Sequence, residues 1–191
     1  MIVSPIASKY VQTARYNVNP RRVIGGGFVR LIVIHTAECP ERENAATNVM
    51  NYLKDPKSVT GKKINASAHY CVDNSSIVCG CDEGHTAWHA GAVNEVSIGI
   101  EHAGFAKQSE SDWNDKYSQD MLGLSAWLVA DICDRWGIAK VKLSDSELRS
   151  GASGIVGHDQ VSRVFGGTHW DPGPKFPWDS YMSMVQEVKT K

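Results

Sequence analysis

Residues suited to binding a metal ion lie near the C-terminal end of the chain. His158, His169 and Asp171 occur there, and Asp171 continues into the rigid segment Pro172-Gly173-Pro174. A further histidine, His35, ends an apolar run far upstream. Two imidazoles and one carboxylate are a frequent ligand set for catalytic zinc, which keeps one coordination position open for water or substrate. The pattern therefore predicts a metal-dependent hydrolase.

Each of these residues also has an ordinary structural interpretation. His158 followed by Asp159 is typical of the first turn of a helix. A histidine such as His35 is commonly a half-buried side chain at the end of a strand, and an aspartate before Pro-Gly-Pro commonly begins a turn. The segment His169-Trp170-Asp171 also fits the facial triad of non-haem iron enzymes, which needs another histidine well downstream. None of the seven histidines follows His169, so zinc is the favoured interpretation.

A glutamate in the middle of the sequence is the candidate general base. Residues 96–102 alternate between apolar and other side chains, which predicts a strand with Ser97, Gly99 and Glu101 on one face. The two small neighbours leave space beside the carboxylate, as the floor of an active site requires. A metal hydrolase needs a base close to the attacking water, and a carboxylate suits that role. The competing interpretation is a solvated carboxylate at the end of a strand.

Strand-like and helix-like segments alternate along the chain. The apolar run Leu31-Ile32-Val33-Ile34 predicts a central strand buried on both faces, with His35 where it ends. Further strands are predicted at 66–72, 77–81 and 96–102, and helices at 43–54, 117–136 and 177–188, with a short helical turn at 144–150. This mixture predicts the α/β (α+β) class, a central mixed sheet flanked by helices.

Length and composition indicate a globular chain with one domain. Of its 191 residues 42% are hydrophobic and 21% charged, and a net charge of −1 gives no support to nucleic-acid binding. No run approaches the roughly 18 apolar residues of a membrane span, and the N-terminus shows no signal-peptide pattern. We expect residues 1–28, which include the flexible glycine run 25–27, to form an extension packed on or near a single domain at 29–191. The odd number of cysteines, five, leaves at least one thiol free.

Taken together, these segments resemble the zinc-dependent N-acetylmuramoyl-L-alanine amidases of type 2. That family includes T7 lysozyme-like phage endolysins, bacterial cell-wall amidases and animal peptidoglycan-recognition proteins. The resemblance runs from residue 29 to 185. It consists of Val33-Ile34-His35-Thr36, Ser67-Ala68-His69-Tyr70, Ala87-Trp88-His89-Ala90-Gly91, Asn94-Glu95-Val96-Ser97-Ile98-Gly99-Ile100-Glu101, Gly157-His158-Asp159, and Asp171-Pro172-Gly173-Pro174 followed by Phe176-Pro177-Trp178.

The resemblance implies roles for the chemically active residues. It implies that His35, His158 and Asp171 bind Zn²⁺. It also implies that Glu101 is the general base. His169 corresponds to a position where many members have a lysine, and it is expected to stabilise the oxyanion of the reaction intermediate.

The implied substrate is bacterial peptidoglycan, cleaved at the amide between N-acetylmuramic acid and L-alanine. The residues expected to contact it are Thr36, His69, Trp88, His89 and Asn94. Trp88 and His89 lie among small residues, which suits a groove wall that stacks a sugar or peptide, or equally a loop whose tryptophan packs on the core.

The expected cellular role is that of a phage endolysin. We expect a monomer that binds neither nucleic acid nor membrane and stays in the host cytoplasm until a holin releases it to the cell wall. The alternatives are an intracellular amidase that recycles anhydromuropeptides and a non-catalytic peptidoglycan-binding module.

Overall fold

A mixed β-sheet forms the centre of the molecule. The computed structural model describes residues 1–13, 18–20, 29–57 and 60–189. Among these residues, six strands form the sheet in the order β1-β5-β4-β7-β3-β8. They are β1 (Lys9–Tyr10), β3 (Leu31–Thr36), β4 (Tyr70–Val72), β5 (Ile77–Cys79), β7 (Ser97–His102) and β8 (Gly154–Gly157). Neighbouring strands are parallel except β4 and β5, and β2 (Val18–Pro20) pairs separately and antiparallel with β6 (His85–Ala87).

Helices cover both faces of this sheet, as the predicted class requires. They are α1 (Ala45–Tyr52), α2 (Glu110–Trp113), α3 (Lys116–Trp136), α4 (Asp145–Ser150), α5 (His158–Phe165) and α6 (Trp178–Glu187), with a 3₁₀ helix at Gly91–Val96. On one face, Ile32 and Ile34 of β3 pack in one core with α3 and α6. On the other face, Val33 packs against α5, whereas Cys71 of β4 packs against α1. The continuous apolar run of β3 therefore follows from its burial on both sides.

Local signals explain where the longest helix begins and ends. The Asp115 carboxylate accepts a hydrogen bond from the backbone N–H of Ser118 at 2.8 Å, which caps the first turn of α3. Gly137 follows the last turn with a φ of 67°, a left-handed conformation that glycine adopts without strain. The prediction of a helix over residues 117–136 is therefore confirmed.

Other sequence predictions are confirmed with shifted boundaries. The strands expected at 66–72 and 77–81 are shorter, at Tyr70–Val72 and Ile77–Cys79. Asp73 shapes the turn between them, because its Oδ1 accepts hydrogen bonds from the backbone N–H groups of Ser75 and Ser76. The central strand β3 continues to Thr36, so His35 lies inside the strand and not after its end.

The described N-terminal residues pack on the sheet. β1 pairs in parallel with β5, and the backbone N–H of Ser4 donates to the Tyr70 hydroxyl at 2.7 Å. The predicted glycine joint at 25–27 lies outside the described residues, as do residues 58–59 of the polar loop that follows α1. In the described ranges, every helix is too short or too polar to cross a bilayer.

Candidate metal centre and active site

Three parallel strands bring the predicted site residues to one edge of the sheet. In the register of the sheet, His35 of β3 pairs with Glu101 of β7, and Ile34 pairs with Gly157 of β8. His158 follows Gly157 directly as the first residue of α5. The carboxyl ends of parallel strands are the usual position for ligand sites in such sheets. His35, Glu101 and His158 therefore converge although they are far apart in sequence.

Asp171 reaches the same edge on the loop before α6. The backbone carbonyl of Asp171 accepts a hydrogen bond from the N–H of Asp159 at 2.7 Å, which ties the loop to α5. Gly173 has a φ of 98°, and a Cβ at this position would lie 1.8 Å from the carbonyl oxygen of Ala106. Only glycine fits there, so the proline- and glycine-rich sequence holds the loop close against the domain.

The three predicted ligands form a compact buried group. The Asp171 carboxylate lies 2.9 Å from His35 Nδ1 through Oδ2 and 3.2 Å from His158 Nδ1 through Oδ1. One potential ligand atom of each residue lies within 4.8 Å of the others. All three residues are buried, at 2%, 6% and 8% exposure for His35, His158 and Asp171. Two imidazole nitrogens and one carboxylate at this spacing suit a zinc ion.

The protonation behaviour of the group also suits a cation. Burial lowers the pKa of His35, and this effect outweighs the opposing influence of Asp171. Burial acts to raise the pKa of Asp171, but hydrogen bonds from His158 and His35 hold that pKa well below its usual range. Metal ligands must be a neutral imidazole and an ionised carboxylate, which are the forms these directions favour.

Glu101 lies next to the ligand group on the floor of the cleft. Its side chain is partly exposed, yet its Oε2 atom is shielded from solvent and has no hydrogen-bond partner among the residues that the structure describes. Burial, followed by the nearby charges of Asp171 and Glu38, raises the pKa of Glu101 to about 8. A carboxylate with a raised pKa and a shielded oxygen, beside a group of possible metal ligands, is characteristic of catalytic acids and bases.

His169 lies at the rim of the same group. Its side chain is 64% exposed, and its Nδ1 lies 3.7 Å from Asp171 Oδ1. The ring stacks on that of His158 with centroids 4.0 Å apart and planes inclined by 18°. Partial burial and then the neighbouring His158 lower the pKa of His169, against the influence of Asp171. The neutral imidazole is therefore favoured, and it offers one N–H donor toward the cleft.

Four of the five predicted substrate contacts line the same cleft. The cleft has a volume of about 640 Å³ and is bordered by Thr36, Trp88, His89 and Asn94 together with the ligand group. Asn94 also shapes its wall, because its Oδ1 accepts hydrogen bonds from the backbone N–H groups of His89 and Ala90 at 3.1 and 2.7 Å. Sequence reasoning did not single out Glu38, Val49 and Tyr52, which line the cleft as well.

His69, the fifth predicted contact, lies beneath this surface. It is fully buried, its Nδ1 accepts from the backbone N–H of Gly99 at 3.0 Å, and its Nε2 lies 3.1 Å from the carbonyl oxygen of His85. Direct contact with a substrate requires an exposed surface that this side chain lacks. The geometry corrects its role to support of β7 and of the cleft floor.

His89 makes a contact that the sequence did not reveal. Its Nδ1 lies 3.0 Å from Nε2 of His35, and its Nε2 lies 3.0 Å from Oγ of Ser97. The ring rests on Gly99, where an added Cβ would approach Nδ1 to 2.5 Å. The predicted alternation of Ser97, Gly99 and Glu101 on one face was the signal, because two small residues there leave room for a ring.

Comparison with known proteins identifies the family. A sequence profile described as N-acetylmuramoyl-L-alanine amidase matches residues 25–174. The chain belongs to this amidase family. It is an N-acetylmuramoyl-L-alanine amidase, and the family substrate is peptidoglycan.

A known amidase is similar to this chain in sequence, and solved structures are similar to it in fold. N-acetylmuramoyl-L-alanine amidase A of Achromobacter lyticus is 28% identical over 162 residues, which are 81% of each chain. The crystal structure of a selenomethionine AmpD derivative aligns with a TM-score of 0.69 at 19% identity, covering 97% of this chain and 99% of that one. A mutant endolysin from Bacillus subtilis aligns with a TM-score of 0.57 at 18% identity, covering 94% and 99%. The predicted amidase fold is confirmed.

Proposed function

We propose that this amidase depends on zinc held by His35, His158 and Asp171, and that it acts on intact cell walls as a phage endolysin. The observation that carries the zinc proposal is the convergence of these three donors beside Glu101. The Glu101 Oε2 atom, which lacks a hydrogen-bond partner in the described ranges, is available for a water or a cation-bound group. A purely structural cluster of buried polar groups would satisfy such an atom.

The residues around this site account for each step of amide hydrolysis. A zinc ion bound there would polarise the scissile carbonyl and acidify water. Glu101 accepts a proton from the attacking water and returns it to the leaving amine of L-alanine. His169 donates a hydrogen bond to the oxygen that becomes negatively charged as the carbonyl carbon turns tetrahedral. The C–N bond then breaks and leaves a carboxyl group on the muramic acid.

The extent of the cleft supports a substrate larger than the cleaved bond. Beyond the ligand group and Glu101, its lining includes Val49 and Tyr52 of α1 and Val161 and Ser162 of α5. The scissile amide of peptidoglycan joins a glycan to a peptide, and a cleft of about 640 Å³ offers these groups further surface to contact.

Mass spectrometry of digested sacculi tests the bond and the metal together. We expect release of free stem peptides that begin with L-alanine, complete inhibition by a chelator, and recovery after zinc is added. His158→Ala should neither bind zinc nor release peptides. Full activity after exhaustive removal of metal, verified by elemental analysis, would refute zinc dependence.

The endolysin role is tested by the choice of substrate. A solved endolysin shares the fold and supports this role, whereas the AmpD derivative also shares the fold and fits the recycling alternative. An enzyme for recycling would prefer small soluble wall fragments. We expect the chain, as a monomer in gel filtration, to hydrolyse cross-linked sacculi at least as fast as soluble disaccharide-peptides. Hydrolysis of the soluble fragments alone would reject the endolysin role and leave the zinc amidase assignment intact.

A further inference from the structure

We infer that His89 and Ser97 form a hydrogen-bond relay that orients His35 and directs its Nδ1 atom toward the metal. This inference rests on the proposed zinc site. It concerns the protons of the relay, which decide which nitrogen of His35 carries the lone pair. His89 is thus a positioning residue, in addition to its place in the wall of the cleft.

The relay begins at the Ser97 hydroxyl, whose oxygen can only accept a hydrogen bond from His89. Ser97 Oγ donates to the carbonyl oxygen of Val93 at 2.7 Å, which uses its single hydroxyl proton. Toward His89 the same oxygen must therefore accept, and His89 Nε2, 3.0 Å away, is the donor. A neutral imidazole carries one N–H, so Nδ1 of His89 is left as an acceptor.

The remaining steps follow from His89. Its Nδ1 accepts from Nε2–H of His35, which lies 3.0 Å away. The lone pair of a neutral His35 is then on Nδ1, which faces the Asp171 carboxylate at 2.9 Å. Without a metal ion, Nδ1 can carry the proton and donate it to Asp171, and a bound cation would take the place of that proton. The relay therefore accommodates the proton of His35 on Nε2 when His35 and Asp171 share a metal ion.

The packing around the relay fixes the ring of His89. Gly99 provides the recess, since a Cβ there would come within 2.5 Å of the ring. Two backbone N–H groups, of His89 itself and of Ala90, are held by Asn94. At the other residue of the contact, the backbone carbonyl oxygen of His35 accepts a hydrogen bond from Nδ1 of His102 at 3.0 Å. Both ends of the His35–His89 contact are thus anchored, as expected of a residue that orients a metal ligand by hydrogen bonding to it.

A matched pair of variants separates the relay from packing. His89→Asn puts an oxygen acceptor at the position of Nδ1, whereas His89→Leu has nearly the same shape and no acceptor. Both lose the ring that rests on Gly99. We expect zinc affinity, measured by chelator competition, to fall about 10- to 100-fold in His89→Leu and to be largely restored in His89→Asn. Equal affinities in the two variants would overturn the inference.

Nitrogen NMR of the zinc-loaded wild-type protein provides the second readout. We expect the ring proton of His89 on Nε2, the proton of His35 on Nε2, and a mixture of His89 tautomers in Ser97→Ala. A wild-type His89 with its proton on Nδ1 would contradict the relay even if affinities changed as expected. Failure of the wild type to bind zinc would instead refute the proposed function, so the two failures are distinguishable.

Discussion

Two glutamates of the described domain have opposite surroundings. Glu83 is fully buried, and both its oxygens are occupied. Arg135 donates to them twice, at 2.6 and 2.7 Å, while Trp136 Nε1 and the Tyr70 hydroxyl each donate at 2.5 Å. Glu101, by contrast, has one shielded oxygen without a partner in the part of the chain that is described.

The contrast shows that burial of a charge does not by itself indicate a functional site. Around Glu83 the neighbouring donors compensate for lost hydration, so the cluster stabilises the fold. Around Glu101 the lost hydration is only partly compensated, so one carboxylate oxygen can still bind a substrate group or a water molecule. The following experiments test this difference, beginning with the largest expected effect.

Glu101→Gln should abolish most catalysis and leave the fold unchanged. Replacing the carboxylate removes the proton acceptor, so we expect the rate of amide hydrolysis to fall about 10²- to 10⁴-fold while zinc affinity is retained. Steady-state kinetics and elemental analysis measure the two quantities. Glu95→Gln is the control, because Glu95 is exposed and should have no effect. Normal hydrolysis by Glu101→Gln would exclude Glu101 as the base.

Glu83→Gln should lower the stability of the fold and leave catalysis unchanged. The variant leaves the Arg135 guanidinium without its buried counter-charge, so we expect a loss of about 3–5 kcal/mol in the free energy of unfolding. Urea denaturation measures this loss. Below its unfolding transition the variant should hydrolyse substrate at the wild-type rate, and a selective loss of catalysis without loss of stability would show that the two glutamates are not distinct in role.

Zinc should stabilise the folded protein only by binding to the group of His35, His158 and Asp171. Binding to the folded state at a free zinc concentration 100 times Kd adds about 2.7 kcal/mol to the free energy of unfolding. Thermal unfolding should therefore shift upward for the wild type and for Glu83→Gln. It should not shift for His158→Ala, which lacks a ligand, and an equal shift in that variant would indicate zinc bound elsewhere.

The last expected effect is on the pH dependence of metal-free stability. The pKa of Glu101 is about 8 in the folded protein against an ordinary value of 4.5. The folded state therefore binds more protons than the unfolded state between these values, and stability falls as pH rises through this window. Glu101→Gln should remove that part of the slope in urea titrations at successive pH values. Identical slopes for variant and wild type would argue against a raised pKa.

Local sequence patterns predicted those helices and strands whose ends or apolar runs are clearly marked. The helix α3 follows from Asp115 and Gly137 at its ends, and β3 from an apolar run. The start of α5 was indicated by His158 and Asp159, but the strand β8 before it was not predicted, because β8 is four residues long and has a glycine at each end. Its pairing with β3 stabilises it, and pairing between distant segments is not visible in a local pattern.

The same division applies to the candidate site. The sequence by itself determined the candidate ligands, the face of β7 that carries Glu101, and the family resemblance, because these depend on residue identity and on alternation along a strand. Only the tertiary structure decided that His69 is buried, that Glu83 is enclosed by donors, and that His89 contacts His35. The partners His35 and Asp171 are separated by 136 positions. Contacts over such distances depend on sheet register and side-chain torsions, which the whole packed molecule sets.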